Sequence, residues 1–256
     1  MALITLQFLS ETLGRQSEIL VSIPQRRTNG EIGIGNAAGE GKYKTLLLLH
    51  GLSDDHTIWE RRTCIERYAT ELGVAVVMAD GERGFYTDNK YGDAYYTYIS
   101  QEVLKIAREY LPLSEKREDT FIAGNSMGGY GAIKIALKNP DKFAAAAGLS
   151  SVADVEKFMN EYSPHLKERI FGSMGKVPAD EDLFELAKSC EKNSLKPRIY
   201  MGVGKSDFMY EENVRLQALF KTLDYDFTYR ESEGSHDWGF WDEYILRSLH
   251  WMLGKN

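Results

Sequence analysis

The chain has 256 residues, 43% apolar and 12% aromatic, enough to bury one sizeable core in a single α/β domain spanning residues 1–256. Its 31 basic against 38 acidic residues leave a formal charge of −7, which argues against the basic footprint of a nucleic-acid or anionic-membrane binder. Cys64 and Cys190 are too few for a disulfide framework and lack metal-knuckle or redox spacing, and no cationic leader or membrane-length apolar run is visible, so reduced thiols and a cytoplasmic location are expected.

In chain order, residues 3–9 and 18–23 alternate apolar with polar side chains around a turn-like Thr12-Leu13-Gly14, which predicts an antiparallel leading hairpin. Residues 26–44 are glycine-rich and polar and read as a long surface loop. Short runs apolar on both faces follow at 45–50, 74–80, 120–124, 143–149 and 197–203, with a further strand-like stretch at 226–230. Helical patterns occupy 99–111, 131–137, 211–223 and 240–252. Strand alternating with helix predicts a mostly parallel central sheet covered by helices on both faces. Residues 152–192 break the rhythm: amphipathic stretches at 155–161 and 182–190 flank a Gly/Pro-containing middle at 172–178, which we read as a small helical cap over the strand ends.

The chemistry concentrates in Gly124-Asn-Ser126-Met-Gly128-Gly129, directly after one predicted strand and directly before a helix beginning near Tyr130. A sharp strand-to-helix turn of this kind presents a serine oxygen in a strained backbone and needs small residues two positions either side, which Gly124 and Gly128 supply. The amide of Met127, at the helix start, would face an oxyanion on the attacked carbonyl. A serine hydroxyl needs a histidine base and an acid to orient it, in the order serine, acid, histidine. Asp207 follows the strand at 197–203 through a short loop, and His236 sits in a loop before the last helix, so Ser126, Asp207 and His236 form the candidate triad. The second oxyanion donor is expected in His50-Gly51-Leu52, as the amide of Leu52, with His50 as a structural side chain.

Other candidates read as structure. His165 lies in the cap, His250 lies inside the last helix, and Asp237, Asp224 and Asp226 are assigned to solvated turns. The segment from His50 to His56 holds two histidines and two aspartates without zinc-helix spacing, so no metal is expected. Gly33-Ile-Gly35-Asn-Ala-Ala-Gly39 and Gly41-Lys42-Tyr43 miss the spacing and context of nucleotide loops.

With the elbow, the His50-Gly-Leu loop and the terminal Ser235-His-Asp-Trp-Gly-Phe-Trp241 in view, the chain resembles the esterase D-like branch of the α/β-hydrolases, in particular the small bacterial tributyrin esterases, over nearly its whole length. The resemblance implies the α/β-hydrolase fold, Ser126, Asp207 and His236 as triad, and the amides of Leu52 and Met127 as oxyanion hole. S-formylglutathione hydrolases of this branch continue the oxyanion loop with threonine and cysteine, whereas Ser53-Asp54-Asp55-His56 follows here. Feruloyl and acetylxylan esterases of the branch are commonly secreted and no secretion signal is visible here, so a deacetylase of acetylated carbohydrates stands only as an alternative. The expected activity is therefore serine carboxylesterase action on short-chain acyl esters, acetyl to butyryl, through an acyl-enzyme and without a cofactor. An S-formylglutathione hydrolase, an acyltransferase on the same triad and a non-catalytic binding protein of this fold are the competing readings. Trp59, Trp238 and Trp241 are candidates to wall the pocket. The expected partners are a small-molecule ester and, for a homo-oligomer, further copies of the chain.

Overall fold

The computed structural model describes residues 1–26, 40–172 and 176–255; the glycine motif at 33–39, most of the 26–44 loop and part of the Gly/Pro middle of the cap lie outside the described residues. β1 (Ala2–Ser10) and β2 (Arg15–Ile23) form the leading hairpin, in register from Ala2 opposite Ile23 to Ser10 opposite Arg15. β3 (Lys44–Leu49) is followed by two short helices, α1 (Ile58–Arg62) and α2 (Ile65–Leu72), and then by β4 (Val74–Ala79). α3 (Tyr95–Thr97) runs through a π turn at Tyr98–Val103 into α4 (Leu104–Tyr110). The helix predicted at 99–111 thus begins earlier and carries a widened turn. Glu102, in that turn, accepts hydrogen bonds from Ser10 Oγ (2.6 Å) and the Glu11 N–H (2.7 Å), which pins the hairpin tip to the helix.

β5 (Thr120–Asn125) leads into α5 (Met127–Lys138), and β6 (Ala145–Leu149) precedes α6 (Val155–Tyr162), α7 (Pro164–Phe171) and α8 (Leu183–Cys190). The chain finishes with β7 (Arg198–Gly204), α9 (Tyr210–Phe220), β8 (Phe227–Ser232) and α10 (Trp238–Met252). Among the described residues eight strands form one sheet in the order β1-β2-β4-β3-β5-β6-β7-β8; β2 pairs antiparallel with β4, and every pair from β4 to β8 is parallel.

The central strands read as unbroken apolar runs because both faces are covered. In β3, Leu47 and Leu49 join the core beneath α4, α5 and α9, while Leu46 and Leu48 join the opposite core beneath α2 and α10. Order reverses at β3, which has β4 on one side and β5 on the other, so the crevice opens where the loops after β3 and β5 diverge. The segment 152–192 divides in two. α6, capped by Asp154 accepting the Lys157 N–H (2.9 Å), sends Phe158 toward the crevice, and α7 follows it. α8 buries Leu183, Leu186, Ala187 and Cys190 along one face and packs on α5 and α9 in the helical layer.

Candidate active site

The turn between β5 and α5 holds a strained residue. Ser126 has φ 54° and ψ −116°, a conformation that costs a non-glycine residue about 1–3 kcal/mol and persists only where its surroundings enforce it. Enforcement comes from the backbone. The Ser126 N–H donates to Leu149 O (2.8 Å), and Ser126 O accepts from the N–H groups of Tyr130 (3.1 Å) and Val152 (3.2 Å). The flanking glycines are required by close approach: a Cβ at Gly124 would stand 2.5 Å from the Gly128 carbonyl, and a Cβ at Gly128 would stand 2.4 Å from Leu49 O. Met127 is the first residue of α5, so its N–H is among the amides that have no partner within the helix.

The loop after β3 lies beside this turn. His50 is buried; its Nδ1–H donates to Gly51 O (2.7 Å), its Nε2 accepts the Gly81 N–H (2.9 Å), and its carbonyl accepts the Tyr86 hydroxyl (2.8 Å). Both ring nitrogens are thus engaged by the backbone, and Asp80 Oδ1 also lies 3.2 Å from Nε2. His50 thereby ties the loop after β3 to the loop after β4. Asp54, on the same loop, carries a carboxyl that burial pushes above its ordinary range.

The loops after β7 and β8 are joined by backbone hydrogen bonds from Lys205 N–H to Ser232 O (2.9 Å) and from Ser206 N–H to Gly234 O (3.0 Å). They bring Asp207 and His236 together: His236 Nδ1 is 3.0 Å from each Asp207 oxygen, and Oδ1 also accepts the Met209 N–H (2.8 Å). The Asp207 carboxylate is fully buried, whereas the His236 ring keeps 18% of its side chain exposed. Phe208 (4.6 Å between centroids) and the edge of Trp241 (4.9 Å) clamp the imidazole. Asp237, next in sequence, caps α10 by accepting the Phe240 N–H (3.0 Å) and lines the same cavity as His236.

Ser126, His236, Gly51 and Leu52 line one cavity of about 640 Å³. With Nδ1 held by Asp207, Nε2 is the imidazole nitrogen left to exchange a proton. Trp238 and Trp241 form part of the wall, and Trp241 is oriented by its Nε1–H to Ser150 Oγ (3.1 Å). Trp59 does not line the cavity, contrary to the expectation from its sequence position. Its indole donates to Leu49 O (2.9 Å), it is 1% exposed, and it meets Trp238 edge-on at 5.2 Å, so it backs the wall from within the core. His165 and His250 lie outside this cavity. Sequence reasoning missed Phe158, Phe208, Arg83 and the buried Asn125, all of which line it. Phe208 and Asn125 adjoin triad candidates in sequence and could have been flagged on that ground; Arg83 sits in a segment with no periodicity.

A parallel sheet with a switch point at β3, an elbow serine and a histidine held by a buried carboxylate define an α/β-hydrolase of the serine-hydrolase class. The chain belongs to the esterase family described as "Putative esterase", whose profile matches residues 10–252, and it is a carboxylic ester hydrolase. It is similar to an acetyl esterase of Caldicellulosiruptor saccharolyticus, 33% identical over 98% of both chains. Among solved structures it resembles FphF, the fluorophosphonate-binding serine hydrolase F of Staphylococcus aureus (36% identity, 98% of both chains, TM-score 0.89). It also resembles the S-formylglutathione hydrolase FrmB of the same organism (36% identity, 98% of both chains, TM-score 0.86). Among the described residues, no helix is long and apolar enough to cross a membrane.

Proposed function

We propose that the protein hydrolyses short-chain carboxylic esters, acetyl to butyryl, with Ser126 as nucleophile, His236 as general base and Asp207 as its orienting acid. The observation that carries this reading is the His236–Asp207 pair, with Nδ1 at 3.0 Å from both carboxylate oxygens, sharing a cavity with the strained Ser126. As Ser126 Oγ bonds to the ester carbonyl carbon, its proton passes to His236 Nε2 and the carbonyl π electrons move to oxygen. The amides of Leu52 and Met127 hold that oxyanion, a contribution worth about 3–4 kcal/mol per donor in comparable sites. Collapse breaks the bond to the alcohol, which leaves with the proton from His236. Water then attacks the acyl-enzyme, returns a proton through His236 to Ser126, and releases the carboxylic acid.

The short-chain preference rests on the aromatic wall of Phe158, Phe208, Trp238 and Trp241 around a cavity of about 640 Å³, and on the acetyl esterase relative. Each methylene that finds apolar wall adds about 0.8 kcal/mol until the wall is reached. Unpaired Cys64 and Cys190 favour a reducing cytoplasm as its place of work. Rates on soluble p-nitrophenyl esters from C2 to C12, with fluorophosphonate labelling of Ser126, test the reading. A maximum at C8 or longer would refute the acyl range, and labelling that persists in Ser126→Ala would refute the nucleophile. The likeness to an S-formylglutathione hydrolase favours a second reading, thioester hydrolysis by the same residues. A kcat/KM on S-formylglutathione far above that on p-nitrophenyl acetate would favour it.

A further inference from the structure

At the opposite end of α10 from the catalytic cavity, a second cavity of about 460 Å³ opens between β7, β8 and the last turns of that helix. Trp238, the first residue of α10, lines the first cavity and Trp251 lines the second, so roughly 20 Å of helix separates the two. Among the described residues, Arg230, Arg247, His250 and Lys255 line the second cavity and no carboxylate does, in a chain whose net charge is −7. Glu243 pairs with Arg247 one turn back along the helix, and Arg247 remains half exposed. Arg198 lies over the Trp251 ring at 4.7 Å and donates to Met252 O (2.6 Å), adding a further positive charge beside the site.

An independent observation points to a ligand. Tyr200 lines this cavity, is 2% exposed, and its hydroxyl has no hydrogen-bond partner among the described residues. Burial pushes the phenol well above its ordinary range, so it stays a neutral donor at physiological pH even beside Arg230 and Arg247. Buried hydroxyls are otherwise almost always paired, and Tyr200 shares this cavity with the guanidinium groups of Arg230 and Arg247. The Tyr200 ring meets Trp251 at 5.5 Å, and Leu246 completes an apolar floor.

We propose that this cavity binds a small organic oxyanion, a carboxylate or phosphate carried on a flat apolar body. Arg230 and Arg247 hold the headgroup in forked hydrogen bonds, the Tyr200 hydroxyl donates to it, and the body lies against Trp251 and Leu246. The proposal is independent of the ester chemistry at Ser126. The four tryptophan indole N–H resonances, of Trp59, Trp238, Trp241 and Trp251, report separately on the two cavities, and Trp251→Phe assigns the relevant one. Titrating the full chain with benzoate, inorganic phosphate and benzyl alcohol is expected to shift Trp251 saturably with the anions only. A tighter response to benzoate marks a carboxylate with its apolar body, and a tighter response to phosphate marks the headgroup as dominant. Arg230→Gln with Arg247→Gln should weaken binding at least about tenfold, and raising salt should weaken it in the unaltered protein. A Trp251 signal unmoved by either anion, moved equally by benzyl alcohol, or moved equally in the double variant would overturn the proposal.

Discussion

The elbow around Ser126 and the segment that leads into α8 are held by different forces. At the elbow, backbone meets backbone: the glycines at 124 and 128 sit where a Cβ would strike the carbonyls of Gly128 and Leu49, and Ser126 is locked by three main-chain hydrogen bonds. The segment leading into α8 is instead fastened by side chains. Lys134, fully buried on α5, pairs with Glu181 Oε2 (2.6 Å) and donates to Thr87 Oγ1 (2.7 Å) and Phe85 O (3.1 Å). Lys138 reaches Glu181 Oε1 (2.9 Å), and the Tyr130 hydroxyl donates to Glu181 O (2.7 Å). α5 is therefore both the helix that starts beside Ser126 and the post to which the segment leading into α8 is tied. Geometry at Ser126 depends on main-chain contacts that few substitutions can reach, whereas the segment leading into α8 depends on a buried side-chain cluster that a substitution at Lys134 disrupts.

The sharpest break in that comparison comes from the chemistry itself. Ser126→Ala should lower ester hydrolysis by roughly 10⁴–10⁶-fold with the unfolding midpoint unchanged, since the strained backbone is held by its neighbours and not by the hydroxyl. Circular dichroism melting beside kinetics checks both halves; a large loss of stability would mean that the hydroxyl helps to hold the turn. Asp207→Asn comes next. The amide cannot accept the Nδ1 proton at both positions as the carboxylate does, so kcat should fall by about 10³–10⁴-fold, while fluorophosphonate labelling slows without being lost.

Lys134→Met tests the other region. Removing one partner of a buried pair leaves the other charge stranded and costs about 3 kcal/mol or more, here moderated by Lys138. Burial works to raise the Glu181 carboxyl, but the charges and hydrogen bonds of Lys134 and Lys138 outweigh it and hold it below its ordinary range. A carboxylate depressed in the folded state stabilises above its unfolded pKa, and that stability is lost as pH falls through the folded value. In Lys134→Met, burial gains the upper hand, so the acid-side fall in unfolding midpoint should begin at a higher pH than in the unaltered protein. Urea titrations from pH 7 down to pH 3 read this directly, and coincident profiles would show that the pair does not fasten the segment leading into α8.

The same contrast explains what could be read from the residues alone. Apolar runs such as Leu46 to Leu49 announce strands covered on both faces, and the elbow announces itself because its constraints are local: glycine, serine and glycine within five positions. The α5 pattern was legible only from 131, since Gly128 and Gly129 weaken helix propensity; the helix starts at Met127 because it is buried on all sides. α1, of five residues, is too short to show a period, and α7 buries only Leu166 and Ile170. Glu181 and Lys134 are remote in sequence, so neither hints at the other. Trp59 was misassigned for a related reason: an indole that backs a wall and one that faces substrate look alike until Leu49 O is found at its nitrogen.

The smallest expected effect lies where the two regions meet. Phe158 belongs to α6, packs on Phe85 (5.7 Å) and Tyr162 (5.3 Å), and lines the cavity that holds Ser126 and His236, yet it has no part in proton transfer. If α6 contributes shape and not chemistry, Phe158→Ala should leave kcat on p-nitrophenyl acetate within about threefold while moving the acyl preference. The removed ring opens room for one or two more methylenes, each worth about 0.8 kcal/mol when it finds apolar wall, so kcat/KM for hexanoyl relative to acetyl esters should rise roughly four- to fifteenfold. Part of that gain will be offset by a less rigid wall, since the vacated space costs stability as a core cavity does. The ratio of the two substrates within one variant removes any change in active enzyme concentration, which makes this modest effect measurable. An unchanged ratio would mean that the acyl chain runs along Trp238 and Trp241 instead, and that α6 covers the cavity without setting its length.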